Sequence, residues 1–227
     1  MSLDTVGTTS ATAPTSSTRP RAVRLRADAT RNRERIVAAA REAIVEFGPD
    51  VPLDDVARRA GVGNATLYRH FTDRAELIRQ VTLTVMATTA ERAEDALAQE
   101  PDAFAALRRF VFEAAEERIG ALCPMLSDAF DRQDPAVTQQ MERLERSVNA
   151  IMERAQSAGL LRTDIAVGDL MVALTQLTRP LPGTGCMGFD RFVHRHLQLF
   201  LDGLRAPAGS VLVGTAATLE DLKAGNK

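Results

Sequence analysis

Apolar residues recur along most of the chain at the three- and four-residue spacing of amphipathic helices, from about Thr30 to Leu204. No stretch offers a convincing alternation of apolar and polar positions, which a half-buried β-strand would require. Short segments rich in glycine and proline interrupt the helical pattern. The pattern therefore predicts an all-α protein.

The first predicted helix runs from about Thr30 to Phe47, and its apolar face consists of Ile36, Ala40, Ala43, Ile44 and Phe47. It ends at Gly48 and Pro49, since glycine accommodates a left-handed helix end and proline cannot continue the hydrogen-bond ladder. Beyond two short helices described below, the spacing predicts helices at Arg74–Gln99, Pro101–Ala121, Pro124–Arg132, Pro135–Ala158, Val167–Thr178 and Phe189–Leu204. Pro101 and Pro135 fit a first turn, where the missing N–H costs no hydrogen bond.

Both ends of the chain are predicted to lack fixed structure. Residues 1–18 consist mainly of Thr, Ser, Ala and Pro, which bury too little apolar surface to offset the entropy lost on ordering. Arginines follow at Arg19, Arg21, Arg24 and Arg26, so residues 1–26 are predicted to form a disordered arm with a basic end. Residues 206–227 are small and polar and are predicted to form a flexible tail.

The most informative segment is residues 53–74, LDDVARRAGVGNATLYRHFTDR. Its first part predicts a two-turn helix with an apolar stripe formed by Leu53, Val56, Ala57 and Ala60. Gly61 can adopt the positive φ of a tight turn. A second short helix follows from Asn64 to Phe71, and Leu67 and Phe71 lie one turn apart on its inward side. This order of elements predicts a helix-turn-helix.

The side of the second helix opposite Leu67 carries groups that suit the major groove of DNA. An arginine can donate two hydrogen bonds to guanine, an asparagine can pair with adenine, and an alanine methyl can contact the thymine methyl. Hydroxyl, imidazole and guanidinium groups can donate to phosphate oxygens. The residues predicted to contact DNA are Asn64, Ala65, Thr66, Tyr68, Arg69, His70 and Arg74.

The segment AGVGNATLYRHFTDRAELI resembles the recognition segment of the TetR family of transcriptional regulators, whose pattern is A-G-V-S-x-x-T-L-Y-x-H-F-x-x-K-x-x-L. The resemblance extends from about Arg31 to Ile78. It implies a three-helix DNA-binding head, here residues 27–74, followed by a helical ligand-binding and dimerisation body, residues 75–205. It also implies that bases are contacted by Asn64, Ala65, Tyr68 and Arg69, and that phosphates are held by Thr66, Tyr68, His70 and Arg74.

Three positions depart from the family pattern. Gly63 replaces the usual Ser, Pro52 the usual Thr, and Arg74 the usual Lys. Glycine costs little as a helix N-cap, and proline is allowed in a first turn. Because position 52 has no Thr hydroxyl, the phosphate contact that this hydroxyl would provide is not carried over from the family to this chain.

The distribution of charge supports this interpretation, although the net charge is only −2. Residues 19–80 contain 13 Arg against 9 Asp plus Glu, and residues 81–205 contain 13 Arg against 18 acids. A basic head on an acidic body suits a head that meets phosphates. The basic end of the arm either contacts the DNA backbone or a minor groove, or is a solvated segment with no fixed role.

For the body, the resemblance implies a homodimer that binds a palindromic operator in double-stranded DNA. The amphipathic pattern predicts that the last two body helices form the dimer contact through Leu170, Leu174, Leu177, Phe192, Leu199 and Phe200. A pocket for a small, largely apolar effector is predicted at Phe104, Leu107, Phe110, Met125, Phe130 and Met152. The same residues would also suit an ordinary core, in which methionines fill irregular gaps.

Other classes of protein find less support. A Gly-rich phosphate loop and metal-ligand spacing are both missing, and 3 His provide no recognisable nucleophile and base, so we expect no enzyme, cofactor or metal site. No apolar stretch approaches the roughly 20 residues of a membrane span, and no signal peptide is evident, so a cytoplasmic location is expected. Cys123 and Cys186 are expected to be reduced thiols. A regulator controlled by a protein partner, or by no ligand, remains the alternative.

Overall fold

The computed structural model describes residues 21–48, 50–117, 134–179 and 189–224. In these ranges the chain forms helices and connecting turns, and the only β-structure is an isolated bridge between Leu161 and Arg205. The helices are α1 (Arg21–Phe47), α2 (Leu53–Arg59), α3 (Asn64–His70), α4 (Arg74–Gln99), α5 (Ala103–Glu116), α6 (Pro135–Ser157), α7 (Val167–Leu177), α8 (Phe189–Leu204) and α9 (Leu219–Ala224). The prediction of an all-α fold is confirmed. None of the described helices is both long enough and apolar enough to span a membrane.

Helices α1, α2 and α3 pack on one another and form the head. On α1 the predicted face is buried at Ile36, Ala40, Ala43 and Ile44. The prediction is wrong for Phe47, which is exposed at the end of the helix and has the Arg59 guanidinium over its ring. It is also wrong for the start of α1, because residues 21–26 are helical rather than a disordered arm. Residues 1–20 lie outside the described ranges.

Helix α4 joins the head to the body, since it packs against α1, α5 and α6. Its side facing the core includes Ala90, Ala93 and Ala96, all fully buried. Small side chains allow helix axes to approach closely. The buried residues of the head and those of the body belong to one continuous apolar core.

Aspartates begin three of the long helices, because a side-chain carboxylate satisfies an N–H that has no partner within the helix. Asp73, Asp102 and Asp134 accept from backbone N–H groups at the starts of α4, α5 and α6. Pro135 occupies the first turn of α6, as predicted. Pro101 does not lie in a first turn, because α5 begins only after Asp102. The predicted helix Pro124–Arg132 and both cysteines lie outside the described residues.

The residues after α8 follow a defined path, whereas the sequence predicts a flexible tail. They include α9, which packs on α7. Arg162 of the body donates to the Ser210 carbonyl, and Asp169 accepts from the Ala217 N–H. The prediction of a structureless tail is therefore wrong for residues 206–224.

Candidate nucleic-acid interface

The turn between α2 and α3 depends on Gly61. Its φ is +64°, in the left-handed region that a side chain disfavours. The N–H groups of Gly61 and Val62 donate back to Arg58 and Ala57 over 3.1 and 3.0 Å, which closes the last turn of α2. From α1, the Arg35 guanidinium donates to the carbonyls of Ala60 and Gly61. The turn is thus fixed both by its own backbone and by the first helix.

Helix α3 is anchored from its inner side by Leu67 and Phe71, which are almost completely buried, as predicted. It begins at Gly63, whose carbonyl accepts from the N–H groups of Thr66 and Leu67 at 2.8 and 3.2 Å. Gly63 provides no side-chain cap. Burial of two large side chains one turn apart therefore sets the rotation of this short helix about its axis.

Arg33 of α1 holds the C-terminal end of α3. Its guanidinium lies over the Phe71 ring at 4.5 Å and donates to the His70 carbonyl at 3.1 Å. It also donates to Gln80 Oε1 of α4 at 2.7 Å and lies 3.5 Å from a Glu76 carboxylate oxygen. One side chain therefore joins three helices. Neither Arg33 nor Arg35 was among the residues predicted from the sequence, because the groups that they contact lie on other helices and turns.

The outer side of α3 carries four of the predicted DNA-contacting residues as exposed side chains: Asn64, Ala65, Tyr68 and Arg69. Arg69 has no ion pair or hydrogen bond among the described residues, and its guanidinium can therefore donate to a base. The Asn64 amide donates to Asp54 Oδ1 at 2.8 Å, which leaves one N–H and the amide oxygen for other partners. These groups face away from the head together.

The other three predicted DNA contacts differ in their surroundings. Thr66 is half-buried on α3. Arg74 donates to the Val51 carbonyl at 2.7 Å, so its guanidinium also links α4 to the residues before α2. His70 Nε2 is buried without a hydrogen-bond partner, and burial, followed by the positive charges of Arg69 and Arg33, lowers the pKa of His70. The imidazole is therefore neutral near pH 7, and any phosphate contact would be that of a neutral ring.

In the body, the predicted effector residues fall into two groups. Phe104, Leu107, Phe110 and Met152 are buried within one core to which α5 and α6 contribute. The Arg205 guanidinium lies 4.0 Å from the centre of the Phe104 ring. Met125 and Phe130 lie outside the described residues. The four residues that the structure describes thus belong to the core, and their role as a pocket stays a prediction.

The residues predicted for the dimer contact include both buried and exposed side chains. Leu170 and Leu174 are buried in the chain's own core, so the prediction that they meet a partner is wrong. Phe192 and Leu199 of α8 are exposed, and so is Val172 of α7, which was not among the predicted residues. We call Val172, Phe192 and Leu199 the apolar face of α7 and α8.

Comparisons with known proteins agree with this geometry. The family model for bacterial regulatory proteins of the TetR family matches residues 36–81, and the model for the C-terminal domain of SbtR-like transcriptional regulators matches residues 100–206. An uncharacterised HTH-type transcriptional regulator of Pseudomonas putida, TtgW, is 43% identical over 56 residues, which are 24% of this chain and 42% of the relative. The chain thus spans less than half the length of this curated relative.

Two solved structures are similar over nearly their entire length. The TetR transcriptional regulator SCO0520 of Streptomyces coelicolor has a TM-score of 0.60 and 29% identity, covering 78% of this chain and 99% of its own. A TetR transcription regulatory protein of Mycobacterium vanbaalenii has a TM-score of 0.56 and 28% identity, covering 80% and 99%. Both the head and the body therefore have counterparts in regulators of one family.

Proposed function

Since the chain belongs to the TetR family of DNA-binding transcriptional regulators, which are not enzymes, we propose that it is a homodimeric repressor released from a palindromic operator by a small apolar molecule. The observation that carries the proposal is the way in which helix α3 is held against the rest of the head. Its inner side is fixed by Leu67, Phe71 and Arg33, while Asn64, Tyr68 and Arg69 face outward. We place the protein in the cytoplasm, together with the DNA that it regulates.

Reading of the operator divides between two kinds of contact. Arg69 reads a guanine through two hydrogen bonds, with Asn64 and Ala65 contacting neighbouring bases. Tyr68, together with Thr66, holds phosphate oxygens and sets the position of α3 in the major groove. The neutral His70 and the partly engaged Arg74 contribute less to phosphate binding than charged, unengaged side chains would. Base contacts determine which DNA sequence is preferred, and phosphate contacts determine the affinity for DNA of any sequence.

Dimerisation follows from the requirement for two heads on a palindrome. The exposed apolar face of Val172, Phe192 and Leu199 supports a contact between α7 and α8 of two copies. In such a two-fold dimer the two α3 helices lie roughly one turn of DNA apart, about 34–36 Å or somewhat more. A single head would read only half of the site.

Release by an effector requires unequal binding to two arrangements of the heads, since a ligand shifts an equilibrium only through its differential affinity. The proposed site includes Phe110 and Met152 of the body core, together with Met125 and Phe130. A specific observation favours a second candidate function. Leu107 and Phe110 are fully buried, which is also what a filled core without a ligand would show. Control by a protein partner then becomes the alternative.

The test begins by selecting operator sequences from random DNA with the purified protein and measuring affinity by fluorescence anisotropy at two salt concentrations. A repressor of this kind binds a palindrome with two copies per site. Arg69→Ala changes the selected sequence, whereas the control Arg146→Ala, on the exposed side of α6, does not. Metabolite fractions are then screened for one that raises the melting temperature and lowers operator affinity. Selection of no preferred sequence by the wild-type protein would contradict the proposal.

A further inference from the structure

A segment that belongs neither to the head nor to the core of the body follows α8. Residues 206–218, which we call the strap, run from the end of α8 to the start of α9. At the beginning of the strap, the Ala206 N–H donates to the Leu160 carbonyl at 3.1 Å, and the buried Arg162 donates to the Ser210 carbonyl at 2.9 Å. The orientation of Arg162 is fixed by two hydrogen bonds to Asp164. The body therefore holds the first half of the strap.

The second half of the strap lies against the first turn of α7. The Ala217 N–H donates to Asp169 Oδ2 at 3.1 Å. A Cβ placed on Gly168 would lie 2.3 Å from the Ala217 carbonyl oxygen, so glycine is what lets the strap backbone pass there. Thr218 then caps α9 through mutual hydrogen bonds with Asp221. Both ends of the strap are thus fastened to the chain's own body.

Between these fastened ends, the strap presents three consecutive apolar residues to solvent. Val211 is 90% exposed, Leu212 46% and Val213 102%. Ordering a segment costs conformational entropy, and exposed apolar side chains return none of it. Contiguous apolar exposure on an ordered segment is typical of a surface that another molecule covers.

The position of the strap indicates which molecule that is. Gly168, which the strap covers, lies four residues before Val172 and hence on the same side of α7. At its other end the strap begins directly after α8, the helix that carries Phe192 and Leu199. The strap therefore lies at the start of α7 and at the end of α8, the two helices that carry the apolar face.

We propose that Val211, Leu212 and Val213 are covered by the second copy of this chain, so that the strap extends the dimer interface beyond α7 and α8. This inference rests on the proposed dimer. The match to the C-terminal domain of the family ends at residue 206, so the strap is an addition to the part of the body that the match covers. It would add apolar area to the interface without altering the helical contact.

The chain contains no tryptophan, which permits a direct test. Val213→Trp creates a single reporter whose emission shifts to shorter wavelength when apolar surface covers it. The emission is recorded over a dilution series, with sedimentation velocity on the same samples. We expect blue-shifted emission in the dimer and solvent-like emission after dilution. The same reporter combined with Leu199→Glu should give solvent-like emission at every concentration, because we expect that variant to be monomeric.

A second set of variants avoids the bulky reporter. Val211→Ser with Val213→Ser should raise the dimer dissociation constant roughly 100-fold, since burial of each valine contributes on the order of 10-fold. The melting temperature of the monomeric Leu199→Glu protein should not change with these two substitutions, because both side chains are exposed in the single chain. Thr215→Ser, on the same strap, is the matched control and should leave the dissociation constant unchanged. Gly168→Ala should act like the double serine variant by displacing the strap.

The outcomes separate the two proposals. A wild-type protein that remains monomeric at all concentrations contradicts the proposed dimer, and the strap inference with it. A second outcome overturns only the inference about the strap. Leu199→Glu disrupts the dimer, but the serine substitutions leave the dissociation constant unchanged and the Val213→Trp emission is solvent-like in the dimer. The proposed function then remains intact. Blue-shifted emission that persists in the monomeric variant also overturns the inference about the strap, because the strap would then be covered by its own chain.

Discussion

Arg41 of α1 and Glu117 at the end of α5 form an ion pair, with 2.9 Å between Arg41 Nη2 and Glu117 Oε2. The Glu117 side chain is only 11% exposed, and its other oxygen lies 4.0 Å from an Arg92 nitrogen of α4. Arg41 belongs to the head, and Glu117 belongs to the body. This pair is therefore a polar link between α1 of the head and the end of α5 in the body.

Breaking this link should reduce stability by more than breaking an exposed ion pair. Glu117→Gln should lower the free energy of unfolding by about 1–3 kcal/mol, because Arg41 loses a partly buried partner. A double-mutant cycle with Arg41→Met, followed by urea unfolding, measures the pairwise energy. The control cycle uses Arg146 and Glu142, whose side chains are 70% and 58% exposed and whose coupling should be at most about 0.5 kcal/mol. Equal coupling energies in the two cycles would refute the link.

Sequence reading by α3 should depend on Arg69. Arg69→Ala should cost about 1–3 kcal/mol of operator affinity and relax the preferred sequence. Tyr68→Phe should instead weaken binding to all sequences and flatten the dependence on salt, because it removes a phosphate contact. Anisotropy titrations on operator and scrambled DNA separate the two effects. An unchanged sequence preference in Arg69→Ala would mean that α3 is oriented differently in the groove.

The turn before α3 should be intolerant of a side chain at Gly61. Gly61→Ala should destabilise the head by about 1–2 kcal/mol, because φ is +64° and the added Cβ would lie 2.8 Å from Arg35 Nη2. Thermal unfolding and operator affinity should both decrease. Gly209→Ala is the matched control, because no atom lies within 4 Å of its added Cβ and its φ is not in the left-handed region. A neutral Gly61→Ala would show that the turn can relax.

The dimer contact should be sensitive to the exposed residues and not to the buried ones. Leu199→Glu should give folded monomers with weak operator binding, since the charge would lie on the exposed surface that we propose as the dimer contact. Leu174→Glu should unfold the body instead, because Leu174 is fully buried in its own chain. Circular dichroism reports folding, and sedimentation reports the association state. A folded monomer from Leu174→Glu would contradict the assignment of that residue to the core.

The Arg162–Asp164 pair should make the stability of the C-terminal region depend on acid. The Arg162 guanidinium lowers the pKa of Asp164 to about 2. An aspartate in the unfolded chain titrates near pH 3.9. Since the folded value is the lower one, the contribution is complete well above pH 4 and is lost as the pH falls from about 4 towards 2. Asp164→Asn should therefore reduce this part of the acid dependence, measured by unfolding between pH 2 and pH 6. An identical pH dependence of unfolding in the wild-type protein and in Asp164→Asn would contradict this prediction.

Residues of the head could be predicted from the sequence because its signals are local. Leu67 and Phe71 lie one turn apart on a short helix, and Gly61 marks the turn before it. Asn64 and Arg69 then face outward by helical periodicity alone. Arg33 could not be selected in this way, because it acts on a carbonyl and a ring that are 37 and 38 residues further along the chain.

In the body, the same reasoning fails where a helix is apolar on several sides. Helix α7 carries Leu170, Val172 and Leu174 within five residues, so periodicity does not tell which of them meets the core and which faces out. The ordered path of the strap could not be predicted from the sequence for another reason. Most of its residues are small, and it is held by Arg162 and Asp169, which lie far away in the sequence. Tertiary contacts of this kind leave no local pattern.

The arrangement of α3 has a consequence for how such proteins diversify. The groups that hold the helix, Arg33, Leu67 and Phe71, differ from the groups that face outward. A duplicated gene could therefore acquire substitutions at Ala65, Tyr68 or Arg69 and recognise new target promoters while its folding stays intact. Asn64 is the exception, since its amide donates to Asp54 and its substitution would also remove this contact between α3 and α2.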